Sequence, residues 1–303
     1  MTALAYRLPG MELLAALSES VGPVRAVQRT ASPQASTATL EAVQVELLDG
    51  TSLDLLLKSG GRDSPHEVTV YRDVLDSAEL GTPGFVAGSV HGPGWLLVEA
   101  LPGGPLWQSA AVESWCEAAR WLARAHRQLA GNAAALRPVT GSRFEEQLER
   151  AVQRHPRGLD LRGACSRAAA LLRAVPPTVV HGEAFPSNVL VGPAGELCLV
   201  DWETAGSGPG LLDLAALCVG WPPDDAARIA AAYVESLSAE SLPDESLAAD
   251  ALPADALALL PAARLVVAMR WLSEPLPAAG AGGGHARRTD WWGEAVSAAA
   301  LLP

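Results

Sequence analysis

Lysine is almost missing from this chain: Lys58 is the single one in 303 residues. Basic side chains are scarce altogether, with Lys+Arg 22 against Asp+Glu 34 and a net charge of -12. That balance excludes a non-specific nucleic-acid binder and offers nothing to an anionic membrane. It suits a cationic substrate, although an acidic, solvated surface accounts for it as well. Cysteine is also sparse. Cys116, Cys165, Cys198 and Cys218 form no Cys-x-x-Cys pair and have no zinc-ligand spacing. No apolar run approaches the ~18 residues of a membrane span. Pro9, Glu12 and Glu19 interrupt any signal-like pattern near the N-terminus. A reducing cytoplasm is therefore the expected location. Gly-x-x-x-x-Gly-Lys-Ser/Thr is lacking, which excludes a P-loop nucleotide site, and so is the Gly-x-Ser-x-Gly elbow of many hydrolases.

What is present centres on residues 179 to 203. Glu183, Asn188 and Asp201 follow one another across a short stretch with two apolar runs, Asn188 to Val191 and Leu197 to Val200. Gly192-Pro193-Ala194-Gly195 lies between the runs and predicts a hairpin. A turn centred on Ala194-Gly195 would set position 188 opposite 201. Opposed residues have Cβ atoms about 5 Å apart, close enough to share one ion. Oxygen donors of this type suit a hard cation such as Mg²⁺. Phosphoryl transfer needs such ligands, plus a carboxylate to orient the attacking hydroxyl, and Glu183 is the candidate.

Upstream, the alternation of Val43, Val45 and Leu47 against Gln44 and Glu46 predicts a strand. Asp49-Gly50 then turns it into a second strand, Ser52 to Lys58. With a first strand over 24–30 and further strands over 85–90 and 95–100, the sheet should be antiparallel. Ser64, Pro65 and Glu67 read as a helix start with a capping box, and Glu67 is also the candidate ion-pair partner of Lys58. Helices are expected over 11–17, 112–129, 143–155, 159–175, 257–272 and 290–302. On the 112–129 helix the apolar face carries His126, which reads as a buried structural histidine. The thrice-repeated Glu-Ser-Leu of 235–247 reads as a surface excursion, and 278–284 as an Ala/Gly linker.

His181-Gly182-Glu183, Asn188 five residues later, a hairpin ending in Asp201-Trp202-Glu203, and then Gly208-Pro209-Gly210 and Asp213-Leu214-Ala215 together resemble the aminoglycoside phosphotransferase and choline kinase-like family. This is a branch of the protein-kinase-like fold. In that family the position of Glu183 is usually Asp, and a subgroup carries Glu there. The resemblance implies an α+β, bilobal fold. Residues 1–101 would form an antiparallel-sheet lobe covering the nucleotide, and 102–303 a mainly helical lobe for catalysis and substrate.

The resemblance also implies the cofactors ATP and Mg²⁺ and a division of labour. Lys58, paired with Glu67, would orient the α/β-phosphates. Ser32 and Ser36, in a loop without glycine, would touch phosphate, while the backbone at Glu99 and Leu101 would read the adenine edge. Asn188 and Asp201 would bind the metal, and Glu183 would align the acceptor hydroxyl. Asp213 and His181 are expected to brace the catalytic loop. Trp221, Arg270, Trp271, Trp291 and Trp292 are candidates for the acceptor's wall.

The expected activity is phosphorylation of a hydroxyl on a small molecule of antibiotic, sugar or amino-alcohol type, by a monomer or weak dimer. Two alternatives stand beside it. One is a nucleotide-binding protein of reduced activity, suggested by Glu183 and the glycine-free loop. The other is a kinase acting on Ser or Thr of a biosynthetic peptide.

Overall fold

The computed structural model describes residues 8–31, 39–61, 63–76, 78, 80–140, 142–239, 256–274 and 289–303. Ser32 and Ser36, most of the Glu-Ser-Leu repeat and the Ala/Gly stretch lie outside them. By internal packing the chain separates into two units, residues 1–103 with 191–204, and residues 104–190 with 205–303.

In the first unit, helix α1 (Gly10–Ser20) precedes strands β1 (Val24–Ala31), β2 (Thr39–Leu47) and β3 (Ser52–Ser59). Helix α2 (Ser64–Val70) runs on into a wider π turn, Tyr71–Leu75, and strands β4 (Phe85–Ser89) and β5 (Trp95–Glu99) follow. The five strands form one antiparallel sheet in the order β1-β2-β3-β5-β4. Alternation decides its faces. Val43, Val45 and Leu47 of β2 and Leu55 and Leu57 of β3 point into a core closed by Leu13 and Leu17 of α1. Each such side chain contributes about 1.5–3 kcal/mol when fully buried. One acid breaks the pattern: Glu41 is buried on the same face and is paired with Arg29.

A capping box at α2 does not form. Asp63 is the N-cap residue, Ser64 already lies inside the helix, and no side chain caps it. Glu67 is turned inward instead, with 2% of its surface exposed.

The second unit is mostly helical. After short strand β6 (Gly104–Pro105) come α3 (Val112–Leu129), α4 (Ser142–Arg154) and α5 (Arg162–Arg173). Strand β7 (Thr178–Val180) pairs antiparallel with β10 (Gly206–Gly208). Between them in sequence run β8 (Val189–Val191) and β9 (Leu197–Leu199), the latter within the stretch 191–204 that belongs to the first unit. Helices α6 (Leu211–Leu217), α7 (Pro223–Ala239), α8 (Leu260–Ser273) and α9 (Trp291–Ala300) complete the unit. Contrary to the expectation that no run approaches membrane length, the helical stretch Ala256–Ser273 is long and apolar enough to cross a membrane by length and composition, yet 56% of it is buried. It packs on α4, α5, α6 and α9, as a central core helix does.

Candidate active site

Strand β3 ends by delivering Lys58 among three carboxylates. Its ammonium lies 2.8 Å from Glu67 Oε2, 2.5 Å from Asp201 Oδ1 and 2.7 Å from Glu203 Oε2. All four residues belong to the first unit. Glu67 arrives because the inward face of α2 carries it with Val68 and Val70.

Asp201 and Glu203 arrive through a turn. Gly192 N–H donates to Glu196 O and Gly195 N–H to Gly192 O, so the hairpin is centred on Ala194, with three residues between Gly192 and Glu196, and the register is shifted by one from a centre at Ala194-Gly195. Strand β9 then stops at Leu199. A 188–201 strand rung is therefore not what presents Asp201. Its backbone has a φ of 69°, in the left-handed region, and it is the only non-glycine residue with positive φ among those described. For an L residue that conformation costs about 1–2 kcal/mol, less for Asp than for most. Buried Trp202 pins the turn, its indole N–H donating to Leu199 O at 2.8 Å. The pinned turn sets two acids, two residues apart, on one ammonium.

The charges do not balance: one lysine faces three acids. Exposure rises from Glu67 (2%) through Glu203 (23%) to Asp201 (41%), so the surplus negative charge lies at the open side. Burial opposes the charged form of Lys58. The carboxylates of Glu67, Asp201 and Glu203 outweigh that penalty and hold the ammonium well above its usual range. Glu67 moves the other way. Burial pushes its carboxyl up to about 7 against the pull of Lys58, with Asp201 adding to the rise. The oxygens of Glu67, Asp201 and Glu203 lie within 4.8 Å of one another because all three converge on the Lys58 ammonium, and their donor chemistry would also suit a hard divalent cation. Glu203 was missed in the sequence reading. Its signal was a second acid two residues after Asp201.

At the other end of β5, Glu99 N–H donates to Gly84 O and Ala100 N–H to Asp54 O, both at 2.9 Å. These two donors are taken within the unit.

The second unit holds the loop from His181 to Asn188. Asp213, fully buried in the first turn of α6, accepts from His181 N–H at 2.7 Å, Gly182 N–H at 2.8 Å and His126 Nε2 at 3.0 Å. His126 Nδ1 meets the Tyr233 hydroxyl at 2.7 Å, which completes a buried chain of polar groups. Burial alone would raise the Asp213 carboxyl. The hydrogen bond and charge of His126, with His181 behind them, hold it below its ordinary value.

The loop is braced at its centre as well. Glu183 N–H donates to His181 Nδ1 at 3.2 Å, and Glu183 O accepts from Phe185 N–H at 2.7 Å and from the Asn188 amide at 3.0 Å. The Asn188 side chain thus spends its nitrogen on the loop, while its oxygen receives only a long 3.4 Å contact from Ser187.

Arg270, expected in a wall for the acceptor, instead reaches the loop. Its guanidinium donates to Gly182 O at 2.5 Å and to Glu183 Oε1 at 2.6 Å. Trp271 and Trp291 stack on each other at 5.4 Å and both stand edge-on to Phe185, two residues past Glu183. Trp221 meets Trp115 of α3, and Trp292 lies under the Arg157 guanidinium at 5.2 Å.

An antiparallel five-stranded sheet followed by helices, with a lysine–acid cluster and a braced His-Gly-Glu loop, defines an α+β protein of the protein-kinase-like class. The chain matches the profile of the phosphotransferase enzyme family over residues 62–249, more than half its length, and belongs to that family. No curated protein matches it by sequence. Its fold is similar to that of choline kinase from Streptococcus pneumoniae, at 14% identity over 96% of this chain and 98% of that one, with a TM-score of 0.60. Macrolide 2'-phosphotransferase from Brachybacterium faecium is similar at 17% identity over 96% and 97%, with a TM-score of 0.53. Spectinomycin phosphotransferase, solved with ADP and spectinomycin, is similar at 11% identity over 98% and 94%, with a TM-score of 0.52. At such identities the likeness establishes the fold.

Proposed function

We propose that this chain is an ATP- and Mg²⁺-dependent phosphotransferase that phosphorylates a hydroxyl of a small molecule. The observation that carries the reading is the Lys58 cluster. A lysine alone would need one carboxylate, and this one has three, two of them on the open side of the cluster. Surplus acid around a cation-poor site fits a bound metal with polyphosphate. Family membership and the ADP bound to one relative support the same reading.

Each residue then has a task. Glu67, fixed in the core, holds Lys58 so that its ammonium can meet the α/β-phosphates. Asp201, with Glu203 beside it, would hold the metal. Metal bound there supplies charge neutralisation for the transferring phosphoryl group. Ser32 and Ser36 would contact phosphate, and the backbone of Glu99 and Leu101 the adenine. Glu183 aligns the acceptor hydroxyl and takes its proton. The braced loop fixes the backbone beneath that carboxylate, which matters because a misplacement of ~1 Å can cost ~10²-fold in rate. Asp213, His126 and His181 act on the loop backbone and not on the acceptor.

The test is an ADP-formation screen across amino-alcohols, sugars, nucleosides and hydroxyl-bearing peptides, with ATP and Mg²⁺. Turnover with one small-molecule class supports the reading. Turnover with a peptide alone would move the acceptor to a macromolecule. Nucleotide binding with no turnover on any acceptor would favour the binding-protein alternative.

A further inference from the structure

Glu183 is longer than Asp by one C–C bond, about 1.5 Å. The added rotor gives the carboxylate more places to be, and confining a long acidic side chain carries an entropic cost. The backbone beneath it is already fixed by Asp213, His181 and Asn188. Fixing the backbone does not fix the side chain.

Arg270 does what the backbone contacts leave undone. One arm of its guanidinium donates to Gly182 O at 2.5 Å, and the other donates to Glu183 Oε1 at 2.6 Å. The carbonyl before Glu183 and the carboxylate of Glu183 are thus bound by one rigid fork. Such a planar pair of donors sets direction as well as distance. The fork also comes from a firm support. Helix α8 is buried along most of its length, including Ala262, Ala263, Leu265 and Met269. The Ser273 hydroxyl donates to Arg270 O at 2.6 Å, and the neighbouring Trp271 is stacked on Trp291.

We propose that Arg270 is a positioning residue that makes a glutamate workable at position 183. It draws the longer side chain back and holds one carboxylate oxygen, so that the carboxylate is presented in one direction. The inference rests on the proposed role of Glu183 as the group that aligns the acceptor hydroxyl.

The experiment is a double-mutant cycle on the full chain with ATP, Mg²⁺ and an acceptor found in the screen. Arg270→Gln should lower kcat by about 10–10²-fold, the scale of a slightly misplaced reacting group. KM for ATP should stay within about twofold, since positioning, not nucleotide binding, is removed. Arg270→Lys should recover only part of the loss, because an ammonium cannot make both bonds in one plane.

In a Glu183→Asp background the shorter acid no longer reaches Arg270, whereas the bond to Gly182 O survives. Arg270→Gln should then cost less than about threefold, and the cycle should be strongly non-additive. An equal loss in both backgrounds would mean that Arg270 serves the loop through Gly182, and would overturn the proposal.

If the wild type turns over no acceptor, the phosphotransferase reading falls on its own. Crystal structures of wild type and Arg270→Lys then decide the positioning question. Glu183 held in one rotamer in the first and displaced in the second supports it, and an identical Glu183 in both overturns it.

Discussion

The two ends of the chemistry are built in opposite ways. In the first unit, Lys58 is outnumbered by Glu67, Asp201 and Glu203, and the cluster carries negative charge that nothing in it cancels. In the second unit, Glu183 is paired with Arg270, and that guanidinium also binds a backbone carbonyl. A surplus of acid is a demand for a cation. A balanced fork is a means of fixing direction. Under the proposed function, the first arrangement would hold metal and phosphate, and the second would aim one carboxylate.

The largest break in this comparison should come from Asp201→Asn. It keeps the side chain's shape, removes a metal-facing charge, and should lower turnover by about 10²–10³-fold, the scale of losing one electrostatic stabiliser. Steady-state ADP formation reads the effect.

Lys58→Gln attacks the same cluster from the other side. It leaves Glu67 buried without its partner and should cost about 3 kcal/mol of stability, measured by urea unfolding. No other lysine can substitute, because the chain has none.

Glu183→Gln should reduce kcat by about 10²-fold while nucleotide affinity holds, which separates the aiming half from the binding half. ATP consumption unchanged from wild type would remove Glu183 from the mechanism.

Gly210→Ala tests the brace behind the loop. A Cβ there would sit 2.5 Å from His126 Nδ1 and against the Tyr233 hydroxyl, so the buried chain that ends on Asp213 must shift. A loss of about 1–3 kcal/mol is expected, the usual cost of overpacking a core, with kcat falling more than KM changes.

The smallest effect is in pH. Burial raises Glu67 from an ordinary 4.5 to about 7 in the folded chain. Between those values the folded state binds more protons than the unfolded one. The stability contributed by the protonated form is therefore complete below about 4.5 and lost as pH rises through about 7. Wild type should lose stability relative to Glu67→Gln across that window in thermal melts. Asp213, held low, acts in the reverse direction at acid pH and is common to both proteins.

Local pattern made much of this legible. Period-two alternation marked β2, the Asp49-Gly50 turn signal marked β3, helical spacing marked α3 from Val112 to Leu129, and the isolation of Lys58 in the composition marked it out. Geometry that depends on long-range contact was not legible. Arg270 lies 87 residues from Glu183, and nothing in the apolar run around it indicates which backbone it reaches. It read as part of a wall because it stands beside Trp271. Glu203 lay in plain view, but only the pinned left-handed turn at Asp201 shows that both acids converge on Lys58. The capping box failed for a related reason. Burial of Glu67 against Lys58 won over a solvent-exposed cap, and Asp63 took the cap position instead.

The central claim is that the acids around Lys58 form a metal–nucleotide site. Calorimetric titration of ATP into the wild type and into Asp201→Asn, each with Mg²⁺ and again with chelator, tests it most directly. The account predicts that Mg²⁺ tightens ATP binding at least about tenfold in the wild type, roughly 1.4 kcal/mol, and that Asp201→Asn loses this gain. Equal affinity with Mg²⁺ and with chelator in the wild type would contradict it.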